Sequence, residues 1–203
     1  MTTNNLFSEK TIDPDPFIQF KKWYDEQLSF NIAIPNSVSL ATATKDGRAS
    51  VRTVLLKDYN EKGFVFFTNY KSRKGSQLLS NPRAALLFYW PESARQIRIE
   101  GMTDLLSLDY SVSYFKTRPR ENQVSAWASE QSSVIPGKDH LENRYLSFKK
   151  KFSEKEVLKP DFWGGFCLTP EWFEFWQEGK FRLHDRLTYF KRNGLWFIER
   201  LAP

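Results

Sequence analysis

Cationic and polar side chains alternate in the run Arg-Leu-His-Asp-Arg near the C-terminus. A strand over Arg182–Phe190 would place Arg182, His184 and Arg186 on one face, about 6–7 Å apart in successive steps. Three such groups repel one another unless an anionic or electron-rich planar ligand lies among them, and Trp176 could form an apolar wall for it. The alternative is an exposed strand face whose charges pair with other strands.

A second candidate site lies in the run Asn-Tyr-Lys-Ser-Arg-Lys-Gly-Ser-Gln at residues 69–77. Ser72 can cap a helix whose first turn carries Arg73 and Lys74. Free N–H groups at a helix start, together with two cations, favour a bound phosphate. Without an anion, cations at this end are mildly unfavourable because of the helix dipole. The alternative is a solvated basic turn.

A third candidate is the run Arg-Thr-Val-Leu-Leu-Lys at residues 52–57. In a strand, alternate residues point to opposite faces, so Arg52 and Lys57 lie on different faces, each beside apolar residues. Both cations could serve a ligand. The alternative is that they are charges near the strand ends that reach solvent.

Several other chemistries have no motif in the sequence. It contains no Gly-rich nucleotide fingerprint, no phosphate loop ending in Gly-Lys-Ser/Thr, no His-Glu-x-x-His and no Gly-x-Ser-x-Gly. Cys167 is the single cysteine, and there are two histidines. An internal disulfide and a cysteine-based zinc site are therefore excluded, and we predict no metal centre. Cys167 lies between Phe166 and Leu168, where packing in the core is the better interpretation.

The elements that position these residues follow from the hydrophobic pattern. Asp15 and Pro16 begin a helix whose apolar residues recur at helical spacing up to Leu28. Five strands with short connections follow, and helices are predicted over Leu108–Thr117 and around residues 141–152. The predicted strands are 37–44, 49–57, 64–69, 84–90, 96–106, 164–168, 172–177, 182–190 and 196–201, with a short helix at 72–79. This pattern predicts a mainly β protein, a β-barrel with peripheral helices.

Composition sets the wider limits. The chain has 203 residues, 40% of them hydrophobic and 16% aromatic, and a net charge of +6. These values exclude a disordered chain and suit an anionic ligand, an acidic partner or nucleic acid. No signal peptide or membrane span is predicted, so we expect a cytoplasmic protein. We expect a flexible N-terminal arm over residues 1–15 and a single domain over 16–203.

Eight segments in order resemble the pyridoxamine 5'-phosphate oxidase family, the FMN-dependent enzymes of vitamin B6 salvage. The likeness covers about residues 15–203. The segments are Arg52–Lys57, Ser72–Lys74, Arg95–Gly101, Tyr114–Arg120, Ala126–Ser133, Phe162–Gly165, Arg182–Arg186 and Arg200–Pro203. The resemblance implies an FMN-binding split β-barrel and a homodimer with FMN at the subunit interface.

The resemblance also implies the site residues. The family's flavin positions are Arg52, Thr53, Val54, Leu55, Leu56, Lys57, Phe67, Thr68, Arg73, Lys74, Gln96, Gln131, Ser132, Trp176 and Arg186. The substrate positions are Lys57, Tyr114, Arg118, Asn122, Arg182, Leu183 and His184, of which Arg182 and His184 are the expected catalytic residues. Three departures from the family pattern are Asn122, where Ser is common, Phe67, where Tyr is frequent, and the absence of an Arg-Arg-Glu-Tyr segment that some members carry.

The implied reaction oxidises pyridoxamine or pyridoxine 5'-phosphate to pyridoxal 5'-phosphate, with O2 as acceptor and H2O2 as product. One alternative is another split-barrel FMN oxidase, such as one of phenazine biosynthesis. It would share most flavin contacts and differ at Tyr114, Arg118 and Arg182. A nucleic-acid-binding barrel is the alternative from a different class, but such proteins expose aromatic residues beside lysines, whereas the aromatic residues here mostly alternate inward. We expect neither nucleic-acid nor membrane binding.

Overall fold

A computed structural model describes residues 7–30 and 32–203. Five helices and nine strands are present in this part of the chain. In chain order they are α1 (Pro16–Leu28), β1 (Ser37–Ala43), β2 (Ala49–Leu55), β3 (Asp58–Asn60), β4 (Gly63–Asn69), α2 (Arg73–Ser80), β5 (Arg83–Trp90), β6 (Arg95–Leu105), α3 (Leu108–Thr117), α4 (Arg120–Ala128), α5 (Lys138–Lys151), β7 (Trp163–Gln177), β8 (Asp185–Arg192) and β9 (Leu195–Arg200). None of these helices is long and apolar enough to cross a membrane.

The nine strands form one antiparallel sheet that curls into a half-barrel. Its order is β2-β1-β5-β6-β7-β4-β3, and β8 and β9 extend from β7. Strand β7 uses one edge twice, because Trp163–Leu168 pairs with β4 and Trp172–Gln177 pairs with β8. Its other edge pairs with β6, with a bulge at Glu100/Gly101. A Cβ on Gly101 would lie 2.0 Å from the carbonyl oxygen of Thr169, so the bulge requires glycine there.

The concave face of the sheet holds a core rich in aromatic residues. Alternate residues of β5, β6 and β7 point inward and are almost completely buried, among them Phe88, Ile97 and Phe173. Helix α1 covers this face with Phe20 and Trp23, and Phe20 contacts Phe88 edge-to-face at 5.2 Å. A smaller core lies under α3, α4 and α5 and includes Phe115 and Trp163. The mainly β prediction is confirmed.

Most predicted elements are confirmed within two or three residues, but four differ. Strand β3, only three residues long, was not predicted. Helix α4 was not predicted, since only Val124 and Ala128 of its residues are buried and its apolar pattern is short. The two strands predicted before and after Pro170 form one strand, because Pro170 lies at the bulge. The predicted strand from Arg182 begins only at Asp185.

The late start of β8 corrects the shared face proposed for Arg182, His184 and Arg186. Lys180–Arg182 forms a 3₁₀ turn, and the backbone φ angles of Phe181 and Arg182 are +58° and +64°. Positive φ takes these residues out of the extended conformation, so strand alternation does not apply to them. Only Arg186 lies in the strand.

Residues 7–15, the described part of the predicted N-terminal arm, lie against the sheet, whereas residues 1–6 are outside the described residues. Ile12 is buried, and the Tyr189 hydroxyl donates to the carbonyl oxygen of Asp13. Glu9 accepts two hydrogen bonds from Arg200, at 2.7 and 3.0 Å, and Arg200 also binds Asp185. The hydrogen bonds from Arg200 lower the pKa of Glu9 to about 2.

We expect the Glu9–Arg200 pair to hold residues 8–12 against β9 in a pH-dependent way. Because the pKa of Glu9 is lower in the folded state, its contribution is complete above the ordinary pKa of about 4.5 and is lost as the pH falls towards 2. Hydrogen exchange of the Thr11 and Ile12 amides, both bonded to the Ser8 carbonyl, reports the change. In Glu9→Gln these amides should exchange faster at pH 7. Equal protection in both proteins at pH 7 would contradict this role.

Candidate functional site

A cleft of about 500 Å³ lies where the curled sheet brings β2 close to β4. Helices α3 and α4 form its other side. Polar and aromatic side chains from six helices and strands and from three loops converge on it. Its lining contains Thr53, Val54, Leu55, Lys57, Phe67, Thr68, Lys74, Tyr114, Arg118, Asn122 and Gln131, all predicted from the sequence. It also contains Asn69, Thr117, Pro119, Ser125, Ala126, Ser129 and Trp163, which were not predicted.

The start of α2 forms one end of the cleft. The hydroxyl of Ser72 accepts a hydrogen bond from the Gly75 amide, which confirms the predicted cap. Lys74 Nζ lies 3.2 Å from both Thr68 Oγ1 and Gln131 Oε1, so this lysine joins strand β4 to the loop after α4. The first helical turn contains no acidic residue. Its cations and free amides are therefore available to an anion.

Arg52 is held beside α2 by buried polar groups. Its Nη1 donates to Thr42 Oγ1 at 2.6 Å and to the carbonyl oxygen of Leu40 at 3.1 Å, and Nη2 lies 3.4 Å from Gln77 Oε1. Thr42 and Gln77 are buried and bonded to each other at 2.6 Å. None of these partners carries a charge, so Arg52 is oriented without being neutralised.

Aromatic rings form the other wall of the cleft. Phe67 stacks on Tyr114 with ring centroids 4.0 Å apart and on Trp163 at 5.2 Å. The guanidinium of Arg118 lies 4.8 Å above the Trp163 ring, and its Nη1 is buried without a hydrogen-bond partner. A buried, unpartnered charged donor is costly unless a ligand accepts from it. Arg118 is thus the clearest sign of an anion site.

Five cations surround this cleft without a carboxylate partner among the described residues: Arg52, Lys57, Arg73, Lys74 and Arg118. Burial lowers the pKa of Lys74, and the charge of Arg52 lowers it further. Burial likewise lowers the pKa of Arg118. Uncompensated cations of this kind favour ligands that carry more than one negative charge, such as phosphate esters.

A second group of predicted residues forms a row across three strands. Gln96 on β6 is opposite Trp176 on β7, and Trp176 is opposite Arg186 on β8. Arg186 donates from Nε to Glu174 at 2.7 Å and from Nη1 to the carbonyl oxygen of Ala202 at 2.9 Å. This row lies on the convex face, opposite the aromatic core.

The loop that precedes β8 adds His184 to this row. The His184 ring lies 4.8 Å from the Trp176 ring, and its Nδ1 accepts a hydrogen bond from the Gly179 amide at 3.2 Å. In the neutral form the ring proton is therefore on Nε2, which makes that nitrogen a donor. Arg182 and Leu183 are exposed on the same loop.

The cleft and the row lie at opposite ends of β7. Trp163, in the cleft, and Trp176, in the row, are thirteen residues apart on this strand. At strand rise this separation is about 40 Å along the chain. The structure therefore divides the predicted site residues of one chain into two half-sites: the cleft half-site, with α2 and Arg52, and the row half-site, with residues 182–184.

Three further predicted residues line neither the cleft nor the row. Leu56 packs in the core, and its backbone N–H and C=O both bind Asn36. Arg73 is exposed in the first turn of α2. Ser132 follows Gln131 with a φ of +74°, an unusual value for a residue other than glycine. Of the residues that were not predicted, Trp163 is the most important, and its only signal in the sequence was the Phe-Trp-Gly-Gly run.

Comparisons with known proteins give a consistent result. The family model "Pyridoxamine 5'-phosphate oxidase" matches residues 24–149, and the model "Pyridoxine 5'-phosphate oxidase C-terminal dimerisation region" matches residues 163–203. Proteins named pyridoxine/pyridoxamine 5'-phosphate oxidase from Nostoc punctiforme and Aliarcobacter butzleri are both 49% identical to this chain. The first match covers 97% of this chain and 92% of the relative, and the second covers 96% and 92%.

Solved structures show the same fold. PhzG from Burkholderia lata, in complex with tetrahydrophenazine-1-carboxylic acid, has a TM-score of 0.91 and 29% identity over 98% of both chains. A pyridoxamine 5'-phosphate oxidase-related, FMN binding protein from Nostoc punctiforme has a TM-score of 0.72 and 16% identity, and covers 95% of this chain and 100% of that one. The split-barrel prediction is confirmed.

We expect Lys74→Gln to stabilise the ligand-free protein and to weaken its response to phosphate, leaving the part that depends on Arg118. The substitution relieves repulsion with Arg52 and removes a half-buried charge, while glutamine can still reach Thr68. In thermal unfolding, inorganic phosphate should raise the midpoint of the unsubstituted protein clearly more than that of the variant. The control is Lys149→Gln on the exposed face of α5. An equal phosphate response in Lys74→Gln would contradict this assignment.

Proposed function

This chain belongs to the pyridoxamine 5'-phosphate oxidase family, and from that premise we propose that it oxidises pyridoxamine or pyridoxine 5'-phosphate to pyridoxal 5'-phosphate with bound FMN. It is an oxidoreductase, as its relatives' names indicate. We assign two phosphate groups, one on FMN and one on the substrate, to the cations of the cleft half-site that lack a carboxylate partner.

The start of α2 fits the FMN phosphate. Arg52, Arg73 and Lys74 supply three cations, and the first turn of the helix adds free backbone amides without an opposing acidic residue. Thr68 and Gln131 place neutral hydrogen-bonding groups beside Lys74. Burial, and then repulsion from neighbouring cations, lowers the pKa values of Arg52 and Lys74, and a dianionic phosphate at this position would relieve that repulsion.

The other end of the cleft fits the substrate phosphate, and the unpartnered Nη1 of Arg118 is the observation that carries this assignment. Arg118 is fixed over Trp163, so it is oriented before any ligand binds. Lys57, Tyr114 and Asn122 line the same cleft and can add a charge, a hydroxyl and an amide donor. Asn122, where the family commonly has Ser, retains the ability to donate a hydrogen bond.

The row half-site fits the flavin ring and the reacting end of the substrate, and a second copy of the chain must bring it to the cleft. In one chain the two half-sites lie at opposite ends of β7, too far apart for one small ligand. A symmetric dimer would pair the cleft of each protomer with the partner's row, which makes two complete sites. The match of residues 163–203 to the family's dimerisation region supports this arrangement.

When bound, FMN would supply the two-electron redox chemistry for oxidation at the C4' carbon of the substrate, with O2 as the final acceptor of two electrons and two protons, giving H2O2. The alcohol substrate yields the aldehyde directly, whereas the amine also consumes water and releases ammonia. The protein's own residues bind and orient. Arg182 and His184 position the substrate, with His184 Nε2–H as a donor, and Arg186 directs guanidinium donors towards the flavin ring.

The test of this proposal is flavin binding followed by turnover. We expect the purified protein to bind one FMN per chain and to release one H2O2 for each pyridoxal 5'-phosphate formed from pyridoxine 5'-phosphate. Arg118→Ala should bind FMN normally but lose at least about tenfold in kcat/KM, the effect of removing a charged hydrogen-bond partner. A protein that binds no FMN at micromolar concentration would refute the flavin assignment.

Complementation between variants tests the shared site. Lys74→Ala disables the cleft half-site, and Arg186→Ala disables the row half-site. When the two variants are co-expressed with different tags, the isolated heterodimer contains one site with both substitutions and one intact site. We expect about half of the unsubstituted dimer's activity in the heterodimer, because one of two sites is complete. A control heterodimer of unsubstituted and doubly substituted chains has two half-damaged sites and should be nearly inactive. Inactivity of the Lys74→Ala/Arg186→Ala heterodimer would contradict a site shared between chains.

A phenazine-type oxidase is the second candidate, favoured by the TM-score of 0.91 to PhzG. The ligand bound to PhzG, tetrahydrophenazine-1-carboxylic acid, is a carboxylated tricycle without a phosphate. The two half-buried cations Lys74 and Arg118 at opposite ends of the cleft instead suit two phosphates, and identity to the oxidases of pyridoxine 5'-phosphate is higher, 49% against 29%. Oxidation of a dihydrophenazine carboxylate faster than of pyridoxine 5'-phosphate would decide for this candidate.

A further inference from the structure

Glu174 is a buried carboxylate that has so far been assigned no role in either half-site. It lies on the convex face of β7, two residues before Trp176 and therefore on the same face. Its side chain is only 2% exposed, although this face carries no aromatic core. Charged side chains are almost never buried to this degree unless they are paired.

Both oxygens of Glu174 are engaged by arginines. Oε1 accepts from Arg186 Nε at 2.7 Å, and Oε2 accepts from Arg98 Nη1 at 2.9 Å. Arg98 also binds Glu100 at 2.6 Å, and Glu100 is half-exposed. The cross-strand register places Arg98 opposite Glu174, so this ion-pair row lies directly beside the row of Gln96, Trp176 and Arg186.

The contacts of Arg186 fix the plane of its guanidinium. Glu174 holds Nε from one side, and the carbonyl oxygen of Ala202 holds Nη1 from the other. The C-terminal segment is held in turn, because the Leu201 amide donates to the Arg186 carbonyl at 2.9 Å. A planar guanidinium bound at two of its nitrogens has its remaining donors in fixed directions.

We propose that Glu174 is the positioning residue of the row half-site: it orients Arg186 towards the flavin ring and offsets its charge. This inference rests on the proposed function. The charge distribution also supports it, because the cations of the cleft half-site have no carboxylate partner among the described residues, whereas Arg186 has a buried one. A group that binds a phosphate benefits from net positive charge, while a group that contacts a neutral ring needs direction more than charge.

Glu174→Gln is the direct test, and Glu100→Gln is its matched control. Both substitutions remove one negative charge next to Arg98, but only the first alters the group that holds Arg186, because an amide oxygen cannot accept from both arginines as the two carboxylate oxygens do. We expect Glu174→Gln to weaken FMN binding at least about tenfold by flavin fluorescence titration, and Glu100→Gln to leave it within about twofold. At saturating FMN, the visible circular dichroism of the bound flavin should change in Glu174→Gln alone, because that signal depends on the groups held around the ring.

The outcomes are distinct. If Glu174→Gln binds FMN as tightly as the unsubstituted protein, with the same visible circular dichroism, the inference is overturned while the proposed function stands. If the unsubstituted protein binds no FMN, both are overturned. If Glu174→Gln does not fold, Glu174→Asp takes its place, since it keeps the charge but is shorter by one methylene. An unchanged affinity and spectrum in Glu174→Asp would then overturn the inference, and a weaker affinity with a changed spectrum would support it.

Discussion

Strand β7 is the element on which the rest of the structure depends. Its fifteen residues hydrogen-bond to β6 along one edge and to β4 and β8 in succession along the other. Because β7 is anchored on both edges, its two ends are held at a fixed separation. Trp163 at one end belongs to the cleft and Trp176 at the other belongs to the row. Under the proposed function, the strand that stabilises the sheet therefore also keeps one chain from completing its own site.

The two half-sites differ in the groups that hold their cations. In the cleft, neutral groups orient the cations: Thr42 and Gln77 hold Arg52, and Trp163 supports Arg118. In the row, the buried carboxylate of Glu174 holds Arg186. Burying a cation without a counter-charge costs stability in the ligand-free protein, and a phosphate recovers that cost on binding. This difference is a physical reason for assigning phosphates to the cleft and a ring to the row.

The sequence predicted local features better than long-range ones. The Asp15 and Ser72 caps depend on residues close in the chain, so their side-chain chemistry was sufficient. The eight ordered segments predicted the family and most of the cleft lining. The sequence did not indicate the burial of Glu174, because an isolated glutamate in a strand is typical of a solvent-facing position. That burial depends on Arg98 and Arg186, which come from two other strands.

The prediction that Arg182 lies in a strand was wrong, because the loop before β8 is not extended and strand alternation does not apply to it. Phe181 and Arg182 have positive φ, and Ser132, in the loop after α4, has the same feature. Such conformations cost about 1 kcal/mol or more for residues other than glycine, so the surrounding contacts must impose them. The Gly179–His184 hydrogen bond closes the loop, and the Trp176 ring packs on His184. These contacts hold the strained backbone of the loop in place. The backbone at Arg182 is therefore set by the loop closure, and the Arg186 side chain is held by ion pairing within the sheet. Two neighbouring arginines that a strand pattern makes equivalent are thus positioned by independent interactions.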